Sequence, residues 1–509
     1  MAIQLVWLKR DLRLDDHEPF VRAAAAGPVL ALYVFEPELL AADESDRGQW
    51  GFVLDSLREL DADLRARGAR LVVRRGALPD VFAALQQDLA AAGGIAHVHA
   101  HEETGSAVTF ARDRRVAAFW RERGVPFTEH AQTGVIRRLR SRDGWSRKWE
   151  QRMRRPRLEA PAQIVDATRL VPGFDPGALP TLDELDLPPT TIVDRQPGGS
   201  AAAHDLLRTF LHERGEDYRR AMSSPLTGRD ACSRLSPHLA HGTISLRTVF
   251  QNVQQRAAEL RALPAAARGT WLQALQSFGG RLRWHCHFVQ KLEDEPALEF
   301  DNLHRGYDGL REGDFDAERF AAWAEGRTGH PMVDACMRSL RHTGWLNFRM
   351  RAMLVSFAAY HLWQHWRPVG LHLARCFVDF EPGIHWSQVQ MQSGTTGINA
   401  VRIYSPQKQL RDQDPDGTFV RRWLPELQHV PLVHLAEPHR MTAAEQAAAR
   451  CRIGVDYPAP IVDAKTAVAD AKARIFAVRR SAAARRENQR VYAQHGSRKR
   501  PRRRAKQAP

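Results

Sequence analysis

Five short runs rich in β-branched and aromatic residues occupy the first 130 positions: IQLVWL, PVLALYVF, ARLVVRRG, IAHVHAHE and VPFTEH. Helical stretches such as WGFVLDSLRELDADLRARG and LPDVFAALQQDLAAAGG separate them. Strands alternating with helices of this length read as a parallel α/β sheet. No GxGxxG follows the first run, so a dinucleotide-binding Rossmann turn is not supported there. The alternation stops near Thr133. IRRLRSRDGWSRKWEQRMRRPRLEAP is basic and irregular, and GFDPGALPTLDELDLPPTTIVDRQPGG is rich in Pro, Gly and Asp, as expected of a connector. Beyond His204 strand patterns vanish. AAAHDLLRTFLHERGEDY, SLRTVFQNVQQRAAEL, HPMVDACMRSLRHTGW and FRMRAMLVSFAAYHLWQHW carry apolar residues at helical spacing. The expected fold is an α/β parallel-sheet (Rossmann-like) N-terminal domain followed by a mostly α-helical C-terminal domain. The expected divisions are 1–132 for the sheet domain, 133–199 for the connector, 200–450 for the helical domain and 451–509 for an extension.

A chain of 509 residues exceeds one comfortable core, which accords with at least two domains. No apolar run approaches the roughly 18 residues that cross a bilayer, and MAIQLVWLKRDLRL lacks a signal-peptide layout. A cytoplasmic protein without a membrane span is expected. Cys232, Cys286, Cys336, Cys376 and Cys451 are scattered without a CxxC pair, which argues against a zinc site and a disulfide framework; no metal is expected. The net charge of +15 favours a polyanionic partner, and nucleic acid is the commonest. Part of that charge lies in the terminal SRKRPRRRAKQAP, which has no apolar periodicity and is expected to be disordered, either a solubilising tail or a DNA-binding arm. Thirteen tryptophans against seven tyrosines is unusual, and HLWQHWRPVGLHLARCFVDFEPGIHWSQ places Trp363, Trp366 and Trp386 around Asp379 and Glu381. Rings that are large and polar at one edge need a use when they cluster.

Four segments together carry a resemblance. WLKRDLRLDDHEPF, CSRLSPHLAHGTIS, EGRTGHPMVDACMRSLRHTGWLNFRMRAM and RIYSPQKQLRDQDPDGTFVRRWLPEL resemble, in order, motifs of the photolyase/cryptochrome family, over residues 5 to 427. The resemblance implies an α/β antenna domain, a helical FAD-binding domain and non-covalently held FAD. It implies light-dependent repair of pyrimidine dimers in damaged DNA, by electron transfer from photoexcited reduced FAD, in a monomeric protein. The alternatives it leaves are a cryptochrome-type blue-light photoreceptor and a non-catalytic, basic nucleic-acid-binding flavoprotein. HAHEETGSAVTFARD falls where the family places contacts to a second, antenna chromophore, here of unknown identity; its acids read equally as exposed loop residues.

Residue by residue, the family pairs a tyrosine, here Tyr218, with the SRLSP turn to hold the FAD diphosphate, which implies roles for Ser233, Leu235 and Ser236. Hydroxyls and free N–H groups at a loop-to-helix junction suit phosphate, although an ordinary N-cap shows the same letters. Cys232 stands where threonine is usual. Arg351 and Asp379 match the pair beside the isoalloxazine ring, a carboxylate for ring N3–H and a guanidinium that keeps it ionised; alternatively they bridge two helices. Glu381 matches a position that is usually aspartate. His385 falls where the family places the residue facing flavin N5 and is read as a hydrogen-bond donor or a group titrating near neutral pH. Trp284 matches the lesion-stacking ring or is a core residue. Arg281 holds the place of an acidic residue, and Phe348 that of an asparagine. Trp386 and Trp366 match steps of an electron wire to the flavin, with Trp363 or Tyr360 as an outer step. The packing reading sets Trp363 and Trp366 three apart on one amphipathic helix.

Overall fold

The computed structural model describes residues 2–496. The basic tail beyond Ser497 lies outside them. The five β-rich runs form β1 (Ile3–Leu8), β2 (Val29–Phe35), β3 (Leu71–Arg75), β4 (Ile95–His101) and β5 (Phe127–His130). They pair in parallel in the order β3-β2-β1-β4-β5. Strand side chains alternate between the two faces of the sheet. Val6, Leu8, Ala31, Tyr33 and Phe35 join one apolar cluster, while Leu5, Trp7, Leu30, Leu32 and Val34 join another. Both faces are therefore covered, which explains the near-continuous apolar runs.

In such a sheet the order reverses between β1 and β4, and groups at the carboxyl ends of these strands face outward together. That end meets the helical domain. Arg10, just after β1, donates from Nε to the Ala240 carbonyl (2.8 Å) and from Nη2 to the Phe380 carbonyl (2.6 Å). The connector is less irregular than its composition implies. It contains the helix Trp145–Met153, whose Trp145, Trp149 and Met153 are buried at i, i+4 and i+8. It then runs back over the sheet domain, where Val29 N–H donates to the Val165 carbonyl and Val73 N–H to the Pro176 carbonyl.

Beyond residue 199 no strand occurs among the described residues. The 24-residue helix Trp271–Asp294 packs along the helix Pro382–Ser393. Gly383 permits this approach, since a Cβ there would lie 2.5 Å from Val289 Cα. Gly370 does the same for Trp386, whose Cζ3 would be 2.6 Å from an added Cβ. The expectation that Trp363 and Trp366 share one helix is corrected. The helix Phe348–Ser356 widens into a π turn over Phe357–His361, Trp363 adopts a left-handed backbone (φ 57), and Trp366 opens a new helix to Cys376. The cause is Pro368, whose ring is tolerated in a first helical turn but not in the interior of a longer helix.

Candidate cofactor and substrate site

A cavity of about 640 Å³ opens in the helical domain between the turn 232–236, the helix Trp271–Asp294, the helix Phe348–Ser356 and the start of the helix Pro382–Ser393. Its size is that of a site for a cofactor-sized ligand. Tyr218, Ser233, Leu235, Ser236, Trp284, Arg351, Asp379, Glu381 and His385 all line it. Nine of the eleven candidate residues, separated by up to 167 positions in sequence, thus converge on one space. Trp366 and Trp386 do not line it; both are fully buried behind it.

The turn owes its shape to Arg234, which sits at φ 60 between Ser233 and Leu235. Ser236 begins a helix of only five residues, and no side chain caps it. The N-cap reading of these serines therefore fails. The Ser236 hydroxyl instead accepts from Trp345 Nε1 (3.3 Å). Arg351 and Asp379 face each other through two parallel bonds, Nη1–Oδ1 at 2.9 Å and Nη2–Oδ2 at 2.8 Å. The guanidinium also lies 4.0 Å from the Phe377 ring centroid and donates from Nε to the Leu346 carbonyl. Packing and hydrogen bonds together hold it in one place. Glu381 is half-buried against Arg10 (3.7 Å); desolvation pushes its carboxyl up and the guanidinium opposes this.

His385 departs from expectation. Its Nε2 lies 2.8 Å from the Gly370 carbonyl, which can only accept, so Nε2 carries the hydrogen. Burial pushes its pKa down to about 4. The ring is neutral across the neutral range and offers Nδ1 as an acceptor, which corrects both the donor and the titrating readings. Trp284 is also corrected as a core residue: it is 45% exposed. Phe348, equally exposed at 45%, stands at the same rim. The Arg281 guanidinium lies 5.4 Å from the Trp284 ring and 5.3 Å from Phe348. The tyrosine expected at the phosphate turn, Tyr218, is buried, and burial pushes its hydroxyl up to about 12 while the nearby Arg281 opposes this.

Sequence reasoning missed Arg234, Arg349, Gln388 and Arg402, which also line the cavity. Two of them were legible as neighbours, Arg234 inside SRLSP and Arg349 two residues before Arg351. Arg234 Nε, Arg349 Nε, Gln388 Nε2 and Asn347 Oδ1 are buried polar atoms of lining residues with no partner in the protein. Such atoms are costly unless a ligand or water meets them. Five arginines (234, 281, 349, 351 and 402) line the cavity against two carboxylates, Asp379 and Glu381. Orphaned donors, excess positive charge and an apolar wall that includes Phe278, Leu282 and Leu373 fit a large, flat, anionic cofactor such as FAD.

The acids after β4 are not exposed loop residues. Glu103 is paired with Arg112 (2.6 Å) and Lys9 (3.6 Å), and Arg112 also holds Glu36 and Asp113, all at low exposure. Nearby, Asp11, His17 and His101 form the one group of buried metal-ligating side chains among the described residues. Asp11 Oδ2 lies 3.0 Å from His17 Nε2 and 2.8 Å from His101 Nδ1. His17 Nδ1 accepts from Phe20 N–H, so its hydrogen is on Nε2 and it donates to Asp11 rather than binding a cation.

A doubly wound sheet docked on a helical domain with a cationic, aromatic-rimmed cavity defines a class built to bind an anionic cofactor-sized ligand. Known proteins agree with it. Residues 4–155 match the family described as DNA photolyase, and residues 278–477 the FAD binding domain of DNA photolyase. The chain is 32% identical over 491 residues to a deoxyribodipyrimidine photo-lyase of Streptomyces griseus, covering 93% of this chain and 98% of that one. It is 30% identical over 487 residues to a cryptochrome DASH of Gloeobacter violaceus, covering 90% and 93%. A bacterial class III photolyase from Agrobacterium tumefaciens superposes with a TM-score of 0.80 at 25% identity, covering 94% of this chain and 98% of that one. The chain belongs to the photolyase/cryptochrome family, and its helical domain is of the FAD-binding kind. No described helix is long and apolar enough to cross a membrane.

Proposed function

We propose that this protein is a deoxyribodipyrimidine photo-lyase that splits pyrimidine dimers in DNA under blue light. The observation that carries the reading is the rim: two half-exposed rings, Trp284 and Phe348, flank a guanidinium over a cavity fitted to FAD. Unstacked bases seek aromatic faces, and a dimer costs less to extrude from a helix than a sound base. When bound, FAD supplies the light absorption and the electron chemistry.

The protein's own residues bind and orient. Tyr218, Ser233, Leu235 and Ser236 hold the diphosphate, with Arg234 supplying an otherwise unpartnered N–H. Asp379, pinned by Arg351, offers its carboxylate to the ring N–H, and Glu381 stands beside it. His385 presents a lone pair. Trp284 stacks the extruded lesion, while Trp386 and Trp366 pass electrons inward. In this reading residues 1–132 form the antenna domain, 133–199 the connector, 200–450 the FAD domain and 451–509 an extension.

The cryptochrome reading is supported by Arg281, which stands where the resemblance expects an acid at the lesion. One experiment separates the two. The FAD-loaded, reduced protein is illuminated with dimer-containing DNA and the dimer content is measured. Repair is expected. Intact flavin photochemistry with no dimer loss would assign the chain to signalling instead.

A further inference from the structure

On the helix Trp271–Asp294, Arg281, Trp284, His285 and Phe288 line the cavity at i, i+3, i+4 and i+7, the spacing of one helix face. Phe348, the first residue of the helix Phe348–Ser356, brings a second ring to the same place. The Arg281 guanidinium is half-buried, 5.4 Å from the Trp284 ring and 5.3 Å from the Phe348 ring. It has no carboxylate partner among the described residues. The acids of the cavity are engaged elsewhere, Asp379 with both oxygens on Arg351 and Glu381 beside Arg10. The Tyr218 hydroxyl near Arg281 can accept at most two of its five N–H bonds. At least three donors are left for whatever enters the rim, on a group that cannot accept a hydrogen bond or lose its charge.

A fork that only donates sorts pyrimidines by their polar edge. A base stacked on Trp284 brings that edge within reach of the neighbouring guanidinium. Cytosine carries two adjacent acceptors, N3 and O2, which suit two parallel N–H bonds from a planar guanidinium. Uracil and thymine carry N3–H between two carbonyls. The same fork then meets a donor and is left with a single bond to one oxygen. Joining two pyrimidines through C5 and C6 leaves this edge unchanged, so the distinction holds in a dimer.

Resting on the photo-lyase reading above, we propose that Arg281 is a specificity-determining residue that selects cytosine-containing dimers, through two bonds to N3 and O2 of the base stacked on Trp284. The ring accepts any pyrimidine face, and the guanidinium reads the edge.

The FAD-loaded native protein and Arg281→Lys, which keeps the charge and loses the fork, are compared in the dark. The ligands are single strands with one central dimer, either of two cytosines, freshly irradiated, or of two uracils, its deaminated product. These differ only at N3 and C4. A two-bond contact to a base edge discriminates by about 5- to 150-fold. The native protein is therefore expected to bind the cytosine dimer at least about five-fold tighter than the uracil dimer. Arg281→Lys is expected to bring the two within about two-fold, the change coming from weaker cytosine binding. An unaltered FAD absorption spectrum shows that the variant is folded. Equal affinity of the native protein for both dimers overturns the proposal. So does an equal loss on both in Arg281→Lys, which would make the residue a phosphate contact, or a preference that survives the substitution. Failure of the photo-lyase reading looks different: illuminating the reduced protein would remove neither dimer, while the dark preference and its loss in Arg281→Lys remained.

Discussion

Arg351 and Asp379 are joined by two parallel hydrogen bonds of 2.9 and 2.8 Å, with the carboxylate almost fully buried and the guanidinium one-quarter exposed. The exposure difference sets what each partner does. Asp379 depends on Arg351 for its charge partner, whereas Arg351 can still reach solvent. Replacing Asp379 by Ala removes the carboxylate that meets the cofactor ring and leaves a partly buried cation, at a cost of about 1–3 kcal/mol. Flavin retained after gel filtration is expected to fall at least ten-fold, while Asp379→Asn, which keeps one acceptor, is expected to lose less. Full occupancy and an unaltered visible spectrum in the alanine variant would remove Asp379 from the cofactor site.

Trp284→Ala is expected to leave FAD binding intact, because the ring stands at the rim with nearly half its surface exposed. Stacking of a base on an aromatic ring is worth about 1–3 kcal/mol, so affinity for dimer-containing DNA should fall by about 5- to 150-fold. Undamaged DNA, which keeps its bases stacked, should bind as before. Equal loss on both would make the ring a general contact rather than a lesion contact.

Four buried or half-buried histidines lie near the cavity with depressed pKa values: His238, His285 and His385 at about 4 and His241 at about 3. Burial is the leading cause in each. Below the ordinary histidine value of about 6.5 the unfolded chain takes up protons that the folded chain refuses. Their contribution is therefore complete above pH 6.5 and is lost as pH falls toward 4. A denaturant midpoint that drops steadily between pH 6.5 and 4 is the expected result. His385→Asn is expected to flatten that slope by about one proton, and cofactor absorbance should be independent of pH from 6.5 to 8.

The sheet was legible because its central strands β1 and β2 are buried on both faces and read as almost unbroken apolar strings, while β3, β4 and β5 recur at the spacing that alternation with helices requires. The site was legible through the family resemblance of separate motifs, and Tyr218, the 233–236 turn and the Arg351–Asp379 pair that it implied all line one cavity. What the letters hid depends on backbone geometry. The break at Trp363 follows from a proline five residues later, and the tautomer of His385 follows from a carbonyl fifteen residues earlier. The connector read as irregular because its helix buries only three residues in nine, too few to stand out amid arginines.

Trp366 and Trp386 stand in ring contact, centroids 6.0 Å apart at 71°, and Trp386 also touches Phe380 and His385 on the cavity wall. That places two oxidisable rings in series behind the cofactor site. An onward path is less direct, since Trp363 is bonded to Asp314 and covered by the guanidinium of Arg311 at 4.4 Å, which disfavours positive charge on the ring. Trp366→Phe is expected to slow light-driven reduction of bound FAD by an external reductant at least ten-fold. The substitution also removes the bond from Trp366 Nε1 to Asn302 Oδ1 (2.8 Å) inside the core, so a loss of about 1–3 kcal/mol is expected in the melt as well. Asn302→Ala breaks the same bond and spares the ring. It also removes the bonds from Asn302 Nδ2 to Asp308 (2.8 Å) and Glu312 (3.2 Å), so it should melt at or below Trp366→Phe yet photoreduce like the native protein. If the two variants photoreduce alike, slow or fast, Trp366 is a packing residue and the wire leaves the site by another route.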